Sequence, residues 1–209
     1  MARIDFDPAE LSPQEVHRLI ISSLVPRPIA WVSSRSADGV DNLAPHSMYT
    51  SAGSDPPVLQ FTSTGRKDSL NNIEATGEFV INFSPVELFE QINATGTDFP
   101  HGVSEFEAVG IATEPSVKVA PPRVADSPVA FECKLLDTKS FGASTVVFGE
   151  VVFAAVAEDV IEDGLPAIEL LRPLARLGKI EWMEPGPVRT ITRIPHADWP
   201  GHYEPPESA

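Results

Sequence analysis

Short apolar runs, cut about every ten positions by proline, fill most of this chain. That pattern predicts many short strands and few long helices. Residues 28–34 (PIAWVSS) run into a polar turn at 35–39 that contains Asp38-Gly39. The chain then returns through 42–50, which predicts a hairpin. Further strands are predicted at 58–62, 78–83, 129–137 and 145–156, the last bent at Gly149. Two segments carry one helix-start pattern, Ser12-Pro13-Gln14-Glu15 and Ser84-Pro85-Val86-Glu87. In each, serine can cap, proline suits the first helical position and glutamate can close a capping box. Val16, Leu19 and Ile20 then share one helix face, as do Leu88, Phe89 and Ile92. A third helix is predicted from about 67 to 75, stopped by Gly77. Roughly six strands with a few short helices suggest a closed barrel or a sandwich.

Composition narrows the function. The 209 residues carry 15 Lys+Arg against 30 Asp+Glu, a formal charge of −15. Nucleic acid is disfavoured as a partner, because its affinity comes mostly from cations that neutralise phosphates. An anionic membrane surface is disfavoured for the same reason. Apolar residues are 42% and charged residues 22%, a globular balance that can bury a core without staples. The 21 prolines are about twice the average share. The single cysteine, Cys133, can make no intrachain disulfide, and its neighbours Phe131, Leu135 and Leu136 place it on a core strand. The N-terminal MARIDFDPAE is too acidic for a signal peptide, and the apolar stretch 146–156 is too short for a membrane helix. The expectation is a soluble cytoplasmic protein.

Several familiar sites are missing. There is no G-x-G-x-x-G after a strand, no G-x-x-x-x-G-K-[ST] and no G-x-S-x-G elbow. The histidines, His17, His46, His101, His196 and His202, show no paired zinc spacing, so no metal is expected. His46 and Ser47 are strand neighbours that point to opposite faces, which argues against a nucleophile and its base.

Two segments carry more chemistry. In 63–72 (STGRKDSLNN), small polar residues end a strand, Arg66 and Lys67 follow, and a helix begins. Hydroxyls, helix-start amides and two cations are the parts of a phosphomonoester site. The same residues also fit a solvated turn in which Asp68 or Ser69 merely caps the helix. In 42–49 (NLAPHSMY), Pro45 removes a ladder donor in mid-strand, which lets a flat ligand lie against the edge; a plain edge-strand proline fits equally.

Taken in order, PRPIAWVSS (26–34), NLAPHS (42–47), DPPVLQF (55–61), GRKDSLNNI (65–73) and TGEFVINF (76–83) resemble the flavin reductase-like, FMN-binding split-barrel family. EFEAVGI (105–111), the run 121–133 and FGEVV (148–152) extend the resemblance over roughly residues 14–183. The resemblance implies a mainly β fold, a six-stranded Greek-key split barrel with a few short peripheral helices, working as a homodimer. FMN would lie at the barrel surface near the subunit interface. By position, Ser33, Ser34, Asn42, Ala44, Pro45, His46 and Ser47 would line the ring and ribityl chain. Thr64, Arg66, Lys67 and Ser69 would hold the phosphate, with Asp68 bracing that turn. No catalytic side chain is implied, since the hydride chemistry belongs to the flavin.

The implied activity is NAD(P)H-dependent flavin reduction. Relatives with that activity often carry a histidine just before the Gly-Glu-Val piece, where this chain has Phe148. An FMN-holding electron-transfer protein without NAD(P)H turnover is therefore the alternative. Residues 1–183 would form the binding domain. Residues 184–209, with six prolines, form either an irregular arm that docks through Trp199 and Tyr203 or a loose tail. Residues 1–71 hold 6 basic and 8 acidic side chains, so the acid excess lies beyond the proposed phosphate turn.

Overall fold

The computed structural model describes residues 1–201. Its main sheet has seven strands: β1 Ala30–Arg35, β2 Asp41–His46, β3 Tyr49–Ser54, β4 Pro57–Thr64, β5 Glu78–Asn82, β6 Val129–Phe141 and β7 Ser144–Val156. They pair antiparallel in the order β2-β1-β5-β6-β7-β4-β3. β2 and β3 sit at opposite edges of that order, yet only Ser47 and Met48 separate them in the chain. The three steps from His46 to Tyr49 span at most about 11 Å, so the sheet must curl until its edges nearly meet. Among the described residues no ladder joins the two edges, and the result is a split barrel. This differs from the sequence reading, in which 42–50 is one returning strand and the sheet has six strands. The chain leaves the β1 hairpin after His46 and starts a new strand on the far edge.

Both faces of β1 are covered, so Ala30 to Ser34 are buried in unbroken succession. Ala30 and Val32 face inward with Phe61, Phe79, Ile81, Cys133 and Val147. Trp31 faces outward with Leu43, Ile92, Phe106 and Val124, and its indole N–H donates to the Thr95 hydroxyl at 2.8 Å. Burying each large side chain contributes about 1.5–3 kcal/mol. Cys133 belongs to the inner cluster, and burial pushes its thiol pKa up. The bend expected at Gly149 is a register shift between Phe148 and Gly149 in the β6–β7 pairing.

The helices are short. α1 spans Pro13–Ser23 and carries the full Ser12/Glu15 capping box, but none of its residues is buried. α2 spans Asp68–Thr76 and ends on Gly77 in the left-handed region, φ 74°. Leu70 and Ile73 of α2 enter the inner core, which fixes this helix, and therefore its start, against the barrel. The second capping box does not form. The Ser84 hydroxyl donates to the Ile29 carbonyl, and the segment opens as one 3-10 turn at Val86–Leu88 before α3, Phe89–Ala94. α4 is Glu105–Val109. Residues 184–201 are exposed along their whole length, and Tyr203 lies outside the described residues. No described helix is long and apolar enough to cross a membrane.

Candidate functional site

The turn between β4 and α2 forms one wall of an open cleft of about 520 Å³. Gly65 makes the turn possible: its φ is +78°, which a side chain would resist, and its N–H bonds the Ala143 carbonyl at 2.8 Å. No side chain caps the start of α2, so its first N–H groups remain for a ligand. Arg66 and Lys67 stand beside them. Each meets one carboxylate, Arg66–Glu74 at 2.6 Å and Lys67–Asp98 at 2.9 Å. Both pairs are exposed, and such pairs contribute about 0–1 kcal/mol, so an arriving phosphate can replace them. Asp68 pairs with His101 Nδ1 at 2.7 Å, joining the turn to the loop after α3.

The second wall is the end of β2. Ala44, Pro45, His46 and Ser47 line the cleft with Thr64, Arg66, Lys67, Asp68 and Ser69. The loop after α3 closes over Pro45, with Gly96 so near that an added Cβ would lie 3.4 Å from the proline ring. His46 is half-buried and leans on Phe61, centroids 4.6 Å apart. Burial lowers its pKa to about 4, with Lys67 adding to this and the Thr62 backbone opposing, so its ring is neutral at pH 7. Its Nε2 is shut from solvent with no partner among the described residues. An unpaired buried ring nitrogen on a cleft wall suits a ligand with hydrogen-bonding edges.

Behind this wall lies a buried polar network. The Glu105 carboxylate, 7% exposed, accepts from Asn42 Nδ2 at 2.7 Å and from the Leu43 N–H at 2.8 Å. Asn42 Oδ1 accepts from the hydroxyls of Ser69 at 2.9 Å and Ser34 at 3.3 Å, and Asn72 donates to Ser34. Ser69 has therefore committed its hydroxyl proton inside and offers the cleft its backbone N–H. Ser34 and Ser33 stand behind the cleft wall rather than on it. Ser33 is fully buried and donates to the Pro122 carbonyl. The 116–123 loop that carries Pro122 is held by Glu132, buried on the outer face of β6 beside Val80 and Ala130. Burial alone would raise that carboxyl's pKa, but the Val117 and Lys118 N–H groups and Arg123 outweigh it and hold the pKa low.

Ten of the twelve residues picked from sequence thus meet at one cleft. Arg27, Glu105, the 95–99 loop, His101, Arg176 and Lys179 join them unforeseen. Arg27 and Glu105 sit in segments that carry the resemblance, PRPIAWVSS and EFEAVGI, though neither stands out in them. The others come from segments about 30 to 130 positions away with no pattern of their own.

The chain matches the family model "Flavin reductase like domain" over residues 22–174. It is 36% identical over 181 residues to an uncharacterized protein of Aquifex aeolicus, covering 84% of this chain and 92% of that one. Its fold is similar to nitrilotriacetate monooxygenase component B from Bacillus cereus, with TM-score 0.89, 28% identity and coverage of 91% and 100%. It is also similar to the 2-nitrobenzoate 2-nitroreductase of Pseudomonas fluorescens, with TM-score 0.85, 33% identity and coverage of 93% and 100%. Flavoredoxin of Desulfovibrio vulgaris, at 22% identity and TM-score 0.74, shares the fold over 79% of this chain and 90% of its own. A split barrel, a cation-bearing turn at a helix start and a family match over most of the length agree: this chain belongs to the flavin reductase-like domain family.

Proposed function

We propose that the cleft binds FMN and that the protein is a flavin-dependent oxidoreductase, an NAD(P)H-dependent flavin reductase in the leading reading. The carrying observation is the Thr64–Ser69 turn, where uncapped helix N–H groups and two replaceable cations converge. Charge-assisted hydrogen bonds of this kind contribute about 1.5–3 kcal/mol each. The β2 wall supports the rest of the molecule: a flat, proline-interrupted edge and the unpaired His46 Nε2. The cleft volume suits a small cofactor. When bound, FMN would supply the hydride chemistry at its ring. The chain's residues hold the phosphate, orient the ring along β2 and, through the 95–99 loop, limit water at Pro45.

We further propose a homodimer. α1 borders the cleft through His17 and Ile21, yet its Leu19 and Ile20, with Leu24 and Val25 just after it, stay 38–55% exposed. An apolar helix face uncovered in one chain suits a second copy.

The test is an absorbance spectrum of purified protein, then NADH or NADPH under nitrogen. The expected outcome is a yellow protein whose visible band bleaches. Colourless protein that leaves FMN fluorescence unchanged on titration sinks the flavin reading. Bound FMN that neither nucleotide bleaches favours the electron-transfer alternative, which the Phe148 position already favours.

A further inference from the structure

The cleft carries a second group of cations on the wall beside Ser47: Arg27, Arg176 and Lys179. Arg27 and Arg176 are register partners in a short antiparallel pair, Arg27–Pro28 against Ala175–Arg176. Like charges directly opposite destabilise a ladder. The chain has 30 acidic residues, yet among the described residues none lies within ion-pair distance of these three.

Arg27 is only 5% exposed. Neutral groups meet its guanidinium: the carbonyls of Ile21, Leu24 and Leu177 at 2.5, 2.9 and 2.7 Å, and the Ser47 hydroxyl at 3.4 Å. Its donors are nearly used up, but its charge is not neutralised. Burial, and then Arg176, lower its pKa. Arg176 differs. Its guanidinium lies over the Trp182 ring at 4.5 Å. It donates to the carbonyls of Lys179 and Glu181 at 3.1 and 3.0 Å. Those bonds use two of five N–H donors and fix the guanidinium plane. Lys179 is exposed, with φ at +53° in the left-handed region, and its carbonyl is the one Arg176 holds. Two cations with donors to spare therefore stand in front of a third that the fold leaves uncompensated. An anion between them turns a repulsive corner into a bridged one.

We propose that Arg176 and Lys179, backed by Arg27, form a second oxyanion subsite that takes the carboxylate or phosphate group of the molecule exchanging electrons with the bound flavin. This rests on the flavin reading of the cleft. The subsite is carried by different elements from the Arg66–Lys67 turn, so the two can be separated by mutation.

The test uses the full chain loaded with FMN and titrated calorimetrically with sodium benzoate, inorganic pyrophosphate and, as neutral control, benzamide. At least one anion binds, benzamide does not, and the tighter anion shows which oxyanion is preferred. In the double variant Arg176→Gln, Lys179→Gln the anion binds at least tenfold more weakly, while FMN affinity stays within twofold. The single variant Lys179→Gln, an exposed change that leaves the Arg176 bonds in place, loses at least threefold. Equal anion affinity in wild type and variants overturns the proposal, as does the absence of anion binding. An FMN loss in the double variant as large as that of an Arg66/Lys67 variant also overturns it, by assigning these cations to the flavin. If the chain takes up no FMN the flavin reading falls alone, and benzoate titration of the flavin-free chain still decides the subsite.

Discussion

Two residues show how single side chains constrain this molecule. An alanine Cβ at Gly149 would lie 2.2 Å from Phe79 Cζ and 3.1 Å from Cys133 Cβ. The strand bulges here because the Phe79 ring occupies the space of a side chain. Gly149→Ala is expected to cost about 1–3 kcal/mol, read as a lowered urea midpoint. Phe79→Leu in the same chain should recover part of the loss, because the two changes share one space. Fully additive losses would contradict that account. His46 makes the fold acid-sensitive. Burial holds its pKa down to about 4 in the fold, against an ordinary imidazole value of 6.5. Between those values the unfolded chain binds more protons, so stability falls as pH falls. Going from pH 7 to 5 should remove about 2 kcal/mol through this residue. Urea denaturation of flavin-free protein at both pH values, at one protein concentration, measures it. His46→Asn should flatten the difference, and an unchanged pH slope in that variant rules the assignment out.

At the scale of elements, the start of α2 decides the most. Its buried face, Leu70 and Ile73, anchors it in the inner core, while Arg66 and Lys67 stay 62% and 60% exposed. Fold and binding are thereby separated within eight residues. Arg66→Ala with Lys67→Ala should weaken FMN binding at least tenfold, a loss above about 1.4 kcal/mol, with an unchanged circular dichroism spectrum. Unaltered affinity would refute the phosphate assignment. The helix was legible in sequence because the cations, the apolar spacing and Gly77 lie within a dozen residues. The start at Ser84 misled, since its Ser-Pro-x-Glu pattern is as good as that of α1. Ser84 is buried and finds the Ile29 carbonyl instead of its own helix. A local cap competes with a tertiary partner, and the sequence does not show the partner.

At the scale of the whole molecule, a two-residue link between opposite sheet edges rolls the sheet and brings the β2 end, the α2 start and the 95–101 loop to one cleft. The acid excess lies beyond residue 71, where it serves solubility and leaves the cations at 27 and 66–67 in a nearly balanced stretch. α1 has the best-formed cap in the chain and nothing from its own chain packed to burial on it. Replacing Leu19 and Ile20 with Glu should convert a dimer to monomers in sedimentation velocity. A wild-type monomer, or a variant that still dimerises, would remove the homodimer proposal.

The sequence by itself determined the local parts: strand runs with their proline and glycine stops, the α1 capping box, the cation-bearing turn and the family resemblance. Apart from the resemblance, which rests on the order of several motifs, each depends on residues within a dozen positions, where propensity and spacing act directly. Tertiary structure alone decided that Ser33 and Ser34 lie behind the cleft, that 42–50 divides between two sheet edges, and that Glu105 anchors Asn42. It alone set Arg176 across from Arg27, 149 positions away in the chain. Those pairings follow from how a curled sheet brings distant segments together, and no local preference of the chain encodes such a meeting.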